Sequence, residues 1–262
     1  MDGAILDDAE AALAALAWQL ELGADESIAE APVNRFETAA APPPAPVAPP
    51  PPLATADPEA TSQAIAAACA DLASLRAAMA GFEGCALKRG ARTLVFADGH
   101  PGARVMIVGE APGREEDMAG LPFVGRSGKL LDRMLAAIGL SRKAEDPAAA
   151  AYITNLLPWR PPANREPSSD EIAMMRPFLM RHIALAAPEV LVTMGAPATR
   201  TVLGVATGIT RLRGRWAALG GGLPVLPMLH PAALLRDPIR KREAWADLLM
   251  LRARLDGGGG NG

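Results

Sequence analysis

The sequence predicts an α/β protein, a three-layer α/β/α sandwich with a central, mostly parallel four-stranded sheet. Short apolar runs alternate four times with stretches that repeat apolar residues at helical spacing, the pattern of parallel strands joined by covering helices. The chain has 262 residues, half of them apolar and 21% charged, enough for one full-sized domain and an appendage. No apolar run approaches the ~20 residues a membrane span requires.

Residues 1–38 read as an amino-terminal helix, over 5–22, followed by an acidic tail; a weakly ordered tail and a docking helix for a protein partner are both open readings. Residues 39–61 are dominated by proline and alanine and read as an extended, disordered linker. The compact domain runs over 62–256, opening on an alanine-rich helical pattern from Ser62 to Met79, and 257–262 is a glycine-rich tail. Strands are expected at 104–108, 152–157, 190–194 and 224–229, followed by helices near 127–138, 169–186, 197–203 and 240–255. In such a sheet ligands bind outside the carboxyl ends of the strands.

The acidic start, MDGAILDDAE, lacks the basic residues that open a secretory signal, and a cytoplasmic, monomeric, membrane-free protein is expected. Cys69 and Cys85 are the only cysteines, too few for a disulfide scaffold or, alone, for a structural metal site. The net charge of −3 conceals an asymmetry: residues 1–60 hold eleven acidic residues and only Arg35, a net −10, which leaves +7 on the remainder. That positive part is almost wholly arginine, the side chain suited to forked phosphate contacts, so a polyanionic partner stands beside the alternative of codon bias.

Each expected strand ends in unusual residues. The first runs into Gly109-Glu110-Ala111-Pro112-Gly113 and an acidic cluster ending Glu115-Glu116-Asp117. The glycines permit a sharp turn, and the carboxylates are the wrong sign for a phosphate cradle; they suit orienting a water or stabilising a cation, or simply capping a helix. Phe123 precedes a helix, where its ring either stacks on a flat ligand or plugs the core. Asn155, on the second strand, offers a donor and an acceptor side by side, the complement of uracil O4 and N3–H and a mismatch to cytosine. The third strand ends in Gly195-Ala196-Pro197 and the fourth in His230-Pro231-Ala232-Ala233-Leu234-Leu235-Arg236.

In that order, GEAPG with PFVGRSGKLLDRML, ITNLLPWRPPANREP, LRGRW and HPAALLR resemble the family 4 uracil-DNA glycosylases, across about residues 82–255. The resemblance implies a DNA repair enzyme that starts base excision repair by flipping uracil out of DNA and hydrolysing its N-glycosidic bond. It implies a uracil pocket of Gly109, Glu110, Ala111, Phe123, Asn155 and His230, with Phe123 stacking on the base. It divides the carboxylate chemistry between Glu110 and Glu116, and places His230 beside the pyrimidine. Leu234, Leu235 and Arg236 lie on the loop expected to enter the duplex, and Arg160, Arg211, Arg213 and Arg215 are candidates for gripping phosphates.

The resembled family typically holds a [4Fe–4S] cluster on four cysteines. Here only Cys85 falls on such a position; Phe82, Trp159 and Met175 stand in the other three, so no cofactor and no metal are expected. A non-catalytic uracil- or DNA-binding paralogue of the same fold is the alternative to an enzyme.

Overall fold

The computed structural model describes residues 9–22 and 58–257. The chain divides into two units, Met1–Ala54 and Thr55–Gly262. In the first lies α1, Ala9–Glu21, with Leu13, Leu16, Trp18 and Leu20 exposed. Most of the expected linker, and residues 258–262, lie outside the described residues.

The second unit opens with α2 (Pro58–Ala68), α3 (Leu72–Gly81) and the single turn α4 (Leu87–Gly90). Then come β1 (Ala97–Gly99), β2 (Val105–Gly109), α5 (Arg114–Ala119), α6 (Arg126–Ala136), β3 (Ala151–Asn155) and α7 (Ser169–Ala186). The chain continues through β4 (Val190–Met194), α8 (Ala196–Leu203), α9 (Ile209–Leu212), β5 (Ala217–Leu219), β6 (Leu223–Met228), α10 (Pro231–Arg236) and α11 (Lys241–Leu255). The sheet order is β1-β3-β2-β4-β6-β5. The inner four strands are parallel, and β1 and β5 pair antiparallel at the edges.

Strand alternation builds the two outer layers. Val105, Ile107, Val192 and Leu226 face one side, packed with Leu131 and Leu135 of α6 and Leu248 and Leu251 of α11. Met106, Val108, Leu191 and Val225 face the other, packed with Leu75 of α3 and Phe178 of α7. Because both faces are covered, β2, β3 and β4 are buried along their whole length, as parallel strands must be. Among the described residues no helix is long and apolar enough to cross a membrane.

The α/β class and the four parallel strands stand as expected, but the sheet has six strands. The two edge strands have three residues each and no run of large apolar side chains, so no periodicity marks them. The helical pattern expected over 62–79 is broken into α2 and α3. Asp71 stops it: its Oδ1 accepts from Ser74 N at 2.7 Å, and its own N–H donates to Ser74 Oγ at 3.1 Å, a reciprocal cap that starts a new helix. The compact domain also begins earlier than residue 62, because α2 starts at Pro58, where proline's missing N–H costs nothing.

Phe82, Cys85, Trp159 and Met175 are all buried in the α7-side core, and the Phe82 ring meets Phe178 edge-on at 5.3 Å. In the same layer His182 is 2% exposed, shares a 2.8 Å hydrogen bond with the Tyr152 hydroxyl and stacks under Phe96 at 4.4 Å. Burial pushes the imidazole down to about 4 from 6.5, so it is neutral in the folded protein at pH 7. The unfolded chain takes up this proton near pH 6.5 and the folded one only near pH 4, so stability is whole above pH 6.5 and drains between 6.5 and 4. The loss from His182 is on the order of 2–3 kcal/mol. Denaturant titrations at pH 7 and pH 4.5 should show a smaller acid-side loss for His182→Gln, whose amide still reaches Tyr152 but binds no proton.

Candidate active site

The carboxyl ends of the four parallel strands converge. Gly109 pairs with Asn155 at the ends of β2 and β3. Beyond them Leu156 N donates to Gly109 O at 2.9 Å and Leu157 N to Glu110 O at 3.0 Å, which carries the parallel pairing past the sheet edge. On the other side Gly195 N donates to Met228 O at 2.9 Å and brings the end of β4 against the turn that carries His230. A cavity of about 470 Å³ opens there, lined by Glu110, Ala111, Glu116, Phe123, Asn155 and His230 among others. The residues expected to form a uracil pocket therefore meet in one crevice, with Gly109 beneath it.

Gly109 is needed for that meeting. A Cβ at this position would stand 2.4 Å from Asn155 Oδ1 and 2.5 Å from Phe123 Cε2, so any side chain would push both away. Phe123 takes a left-handed backbone, φ 52°, rare for a bulky residue. Its ring is 5% exposed, packs in the α6-side core, and stacks on His230 with centroids 5.4 Å apart. One ring thus plugs the core and lines the cavity.

Asn155 is 6% exposed, yet its carboxamide makes no hydrogen bond to any described residue. Among the described residues no fully buried side-chain nitrogen or oxygen lacks a partner, so this amide opens to the cavity, where a ligand can complete it. Glu110 is half-buried in the same cavity with a carboxylate that is likewise free of hydrogen bonds. Burial, then the nearby charge of Glu166, raises its carboxyl above the ordinary range.

Glu116 behaves differently. Its Oε2 accepts from Gly113 N at 3.1 Å, and its Oε1 accepts from Val124 N at 3.0 Å and Gly125 N at 2.9 Å. Both oxygens are committed to backbone, tying the turn after β2 to the loop that carries Phe123. Glu116 thus braces the pocket wall, and it lines the cavity together with Glu110.

His230 caps α10, its Nδ1 accepting from Ala232 N at 3.1 Å. Burial, helped by the Arg236 charge, pushes the ring down to about 4. A neutral ring that accepts at Nδ1 carries its proton on Nε2, which is left as a donor.

The expected DNA contacts divide. Arg236 is exposed and lines the cavity, and Arg160, near its rim, donates from Nε to Asn164 Oδ1 at 2.8 Å. Arg211 and Arg215 are exposed away from the cavity lining. Arg213 is withdrawn from solvent: its Nε donates to Asp247 Oδ2 at 2.9 Å and its second terminal nitrogen to Glu243 O at 2.8 Å, so it pins α9 to α11 and does not grip phosphate. Leu234 and Leu235 are not free on a loop. Leu234 is 1% exposed and packs in the α6-side core, and Leu235 is half-buried against the same core.

Three polar cavity residues escaped the sequence reading: Ser127, Asn164 and Arg165. Arg165 lines the crevice and is held by Glu171 through contacts of 2.9 and 2.5 Å, and Ser127 sits in the first turn of α6. The only signal for Arg165 was its place in the ANREP stretch, where it read as ordinary loop.

Among the described residues no group of three or more His, Cys, Asp or Glu side chains is arranged to hold a metal ion. The four positions expected of an iron–sulfur cluster do not fit one: they offer two aromatic rings, a thioether and a single thiol, and burial pushes the Cys85 thiol up, away from thiolate.

The sequence profile of the uracil DNA glycosylase superfamily matches residues 96–249. The chain is similar to a Type-4 uracil-DNA glycosylase of Archaeoglobus fulgidus, 39% identical over 173 residues that cover 62% of this chain and 82% of that protein. It is also similar to Type-4 uracil-DNA glycosylases of Sulfurisphaera tokodaii, 37% identical over 64% of this chain and 77% of that one, and of Thermotoga maritima, 40% identical over 58% and 77%. The match spans β1 to α11, every strand end that builds the cavity included, and the chain belongs to the uracil DNA glycosylase superfamily.

Proposed function

We propose that this chain is a DNA repair glycosylase that takes uracil out of the duplex and hydrolyses its bond to deoxyribose, starting base excision repair. The observation that carries the reading is the Asn155 carboxamide, free of protein hydrogen bonds and open to a cavity that also holds an aromatic ring and an unpaired carboxylate. A uracil lying on Phe123 receives a hydrogen bond from Asn155 Nδ2 at O4 and gives one from N3–H to Oδ1. Cytosine, with an amine at C4 and a bare N3, leaves both amide groups opposed.

In the reaction a water oxygen bonds to C1′ and the C1′–N1 electron pair leaves with uracil. Positive charge grows on the sugar and negative charge on the base, largely at O2. The carboxylate of Glu110, with its raised proton affinity, stabilises the sugar cation and takes the proton that water releases. His230 Nε2–H donates toward O2 without bringing a full charge, which matches a site too dry to hold an imidazolium. The brace made by Glu116 keeps Phe123 and Glu110 on one frame.

Arg165 and Arg236, which line the cavity, and Arg160, bonded to the lining residue Asn164, are assigned to the phosphates flanking the flipped nucleotide. With Leu234 buried, the wedge falls to Ile239, 87% exposed in the Pro238–Arg240 turn three residues past Arg236. No step requires a cluster, and we assign the volume around Cys85 to packing alone.

On a uracil-containing duplex, single-turnover excision should be readily measured for the parent and slower by roughly 2–4 kcal/mol in barrier for Asn155→Asp, which replaces a donor with a second anion. Parent protein that binds but never cleaves would mark a non-catalytic paralogue. Ile239→Ala should lower excision from duplex several-fold while leaving single-stranded substrate nearly unaffected, and equal losses on both would remove the wedge. Protein purified without oxygen should carry no stoichiometric iron and keep its activity in the presence of a chelator; one cluster per chain would overturn the packing assignment.

A further inference from the structure

Phe123 holds an unfavourable backbone conformation in order to present its ring, and something must hold it there. A non-glycine residue in the left-handed region is strained and persists only where its surroundings impose it. Two contacts do so. Gly128, in the first turn of α6, lies so close under the Phe123 carbonyl that a Cβ would stand 1.7 Å from its oxygen. The other contact is Arg142, in the turn between α6 and β3. Its side chain is only 7% exposed.

The Arg142 guanidinium makes four hydrogen bonds. One terminal nitrogen donates to Pro122 O at 2.8 Å and to Asp98 Oδ2 of β1 at 3.0 Å. The other donates to Phe123 O at 2.9 Å, and Nε donates to Asp132 Oδ1 of α6 at 2.7 Å. A planar fork thus grips the carbonyls of two successive residues while carboxylates from a strand and a helix hold it from behind. Lysine, a point donor, can keep the charge pairing but cannot reach both carbonyls in that plane. Arg142 does not line the cavity.

We propose that Arg142 is a positioning residue for uracil: it sets the left-handed turn at Phe123 and so the plane on which the base stacks. The inference rests on the reading of Phe123 as the stacking ring. A residue needed only for folding would change melting temperature and nothing else. One that sets the stacking plane changes affinity for the base itself, and its effect vanishes once the ring is gone.

The test is a double-mutant cycle of Arg142→Lys and Phe123→Ala, reading single-turnover excision and inhibition by free uracil, with melting temperature alongside. Arg142→Lys keeps both carboxylate partners and is the variant chosen to fold; Arg142→Met is the harsher companion. Arg142→Lys in the parent background should slow excision roughly tenfold and weaken inhibition by free uracil by a similar factor, and Arg142→Met should do more. In the Phe123→Ala background neither should change excision more than twofold. Equal losses in both backgrounds, or parent excision with only a lower melting temperature, overturn the proposal. Parent activity for Phe123→Ala overturns the stacking reading and the proposal with it, which tells the two failures apart.

Discussion

The site depends on a missing side chain. Gly109 ends β2 with its Cα facing both Asn155 and Phe123, and there is no room for a single carbon between them. Because β2 and β3 are parallel and in register, Gly109 and Asn155 arrive at the same height, and the polar reader and the aromatic platform share one edge of the cavity. Were β2 to end in alanine, Asn155 and Phe123 would have to separate, and a flat base would no longer meet both at once.

Around that contact the protein uses dryness to assign proton positions. Glu110 and His230 lie in one cavity, yet the same desolvation pushes the carboxyl up and the imidazole down, so each is driven toward its neutral form. The result is a carboxylate with more proton affinity than one in water and an uncharged imidazole whose remaining proton points away from the backbone it caps. Such preorganisation is effective because no solvent must rearrange when charge separates between sugar and base. Glu116 shows the opposite use of a carboxylate: three backbone donors hold it, and its contribution is mechanical.

The iron–sulfur question follows the same logic of volume. A cluster ties four chain segments together at one point, and here the corresponding positions meet in a continuous apolar core containing Phe82, Trp159, Met175 and Phe178. Dispersion contacts and burial can replace such a tie without touching the cavity, because these residues lie on the α7 side of the sheet whereas Phe123 and Leu229 pack on the other.

The amino-acid sequence by itself determined the α/β class, the four parallel strands and the convergence of Glu110, Phe123, Asn155 and His230, because each rests on local patterning and on the rule that strand ends share a crevice. The strand expected at 190–194 is Val190–Met194, and the helix expected near 169–186 is Ser169–Ala186, which the structure starts with a capping box of Ser168 and Glu171. Only the tertiary structure decided what neighbours do to a side chain. Glu110 and Glu116 are the same residue six positions apart; one is free and the other spent on backbone donors that no local pattern displays. Arg213 and Arg236 look equally suited to phosphate, until Asp247, from a helix more than thirty residues away, claims the first. Leu234 reads as a wedge by position and turns out to be core, and Arg142 reads as nothing at all. For Arg213, Leu234 and Arg142 the physical reason is that burial and pairing are set by contacts from elsewhere in the chain, which a one-dimensional pattern does not carry; for Glu116 the partners are nearby in sequence, at Gly113, Val124 and Gly125, but only the folded turn brings them to one carboxylate.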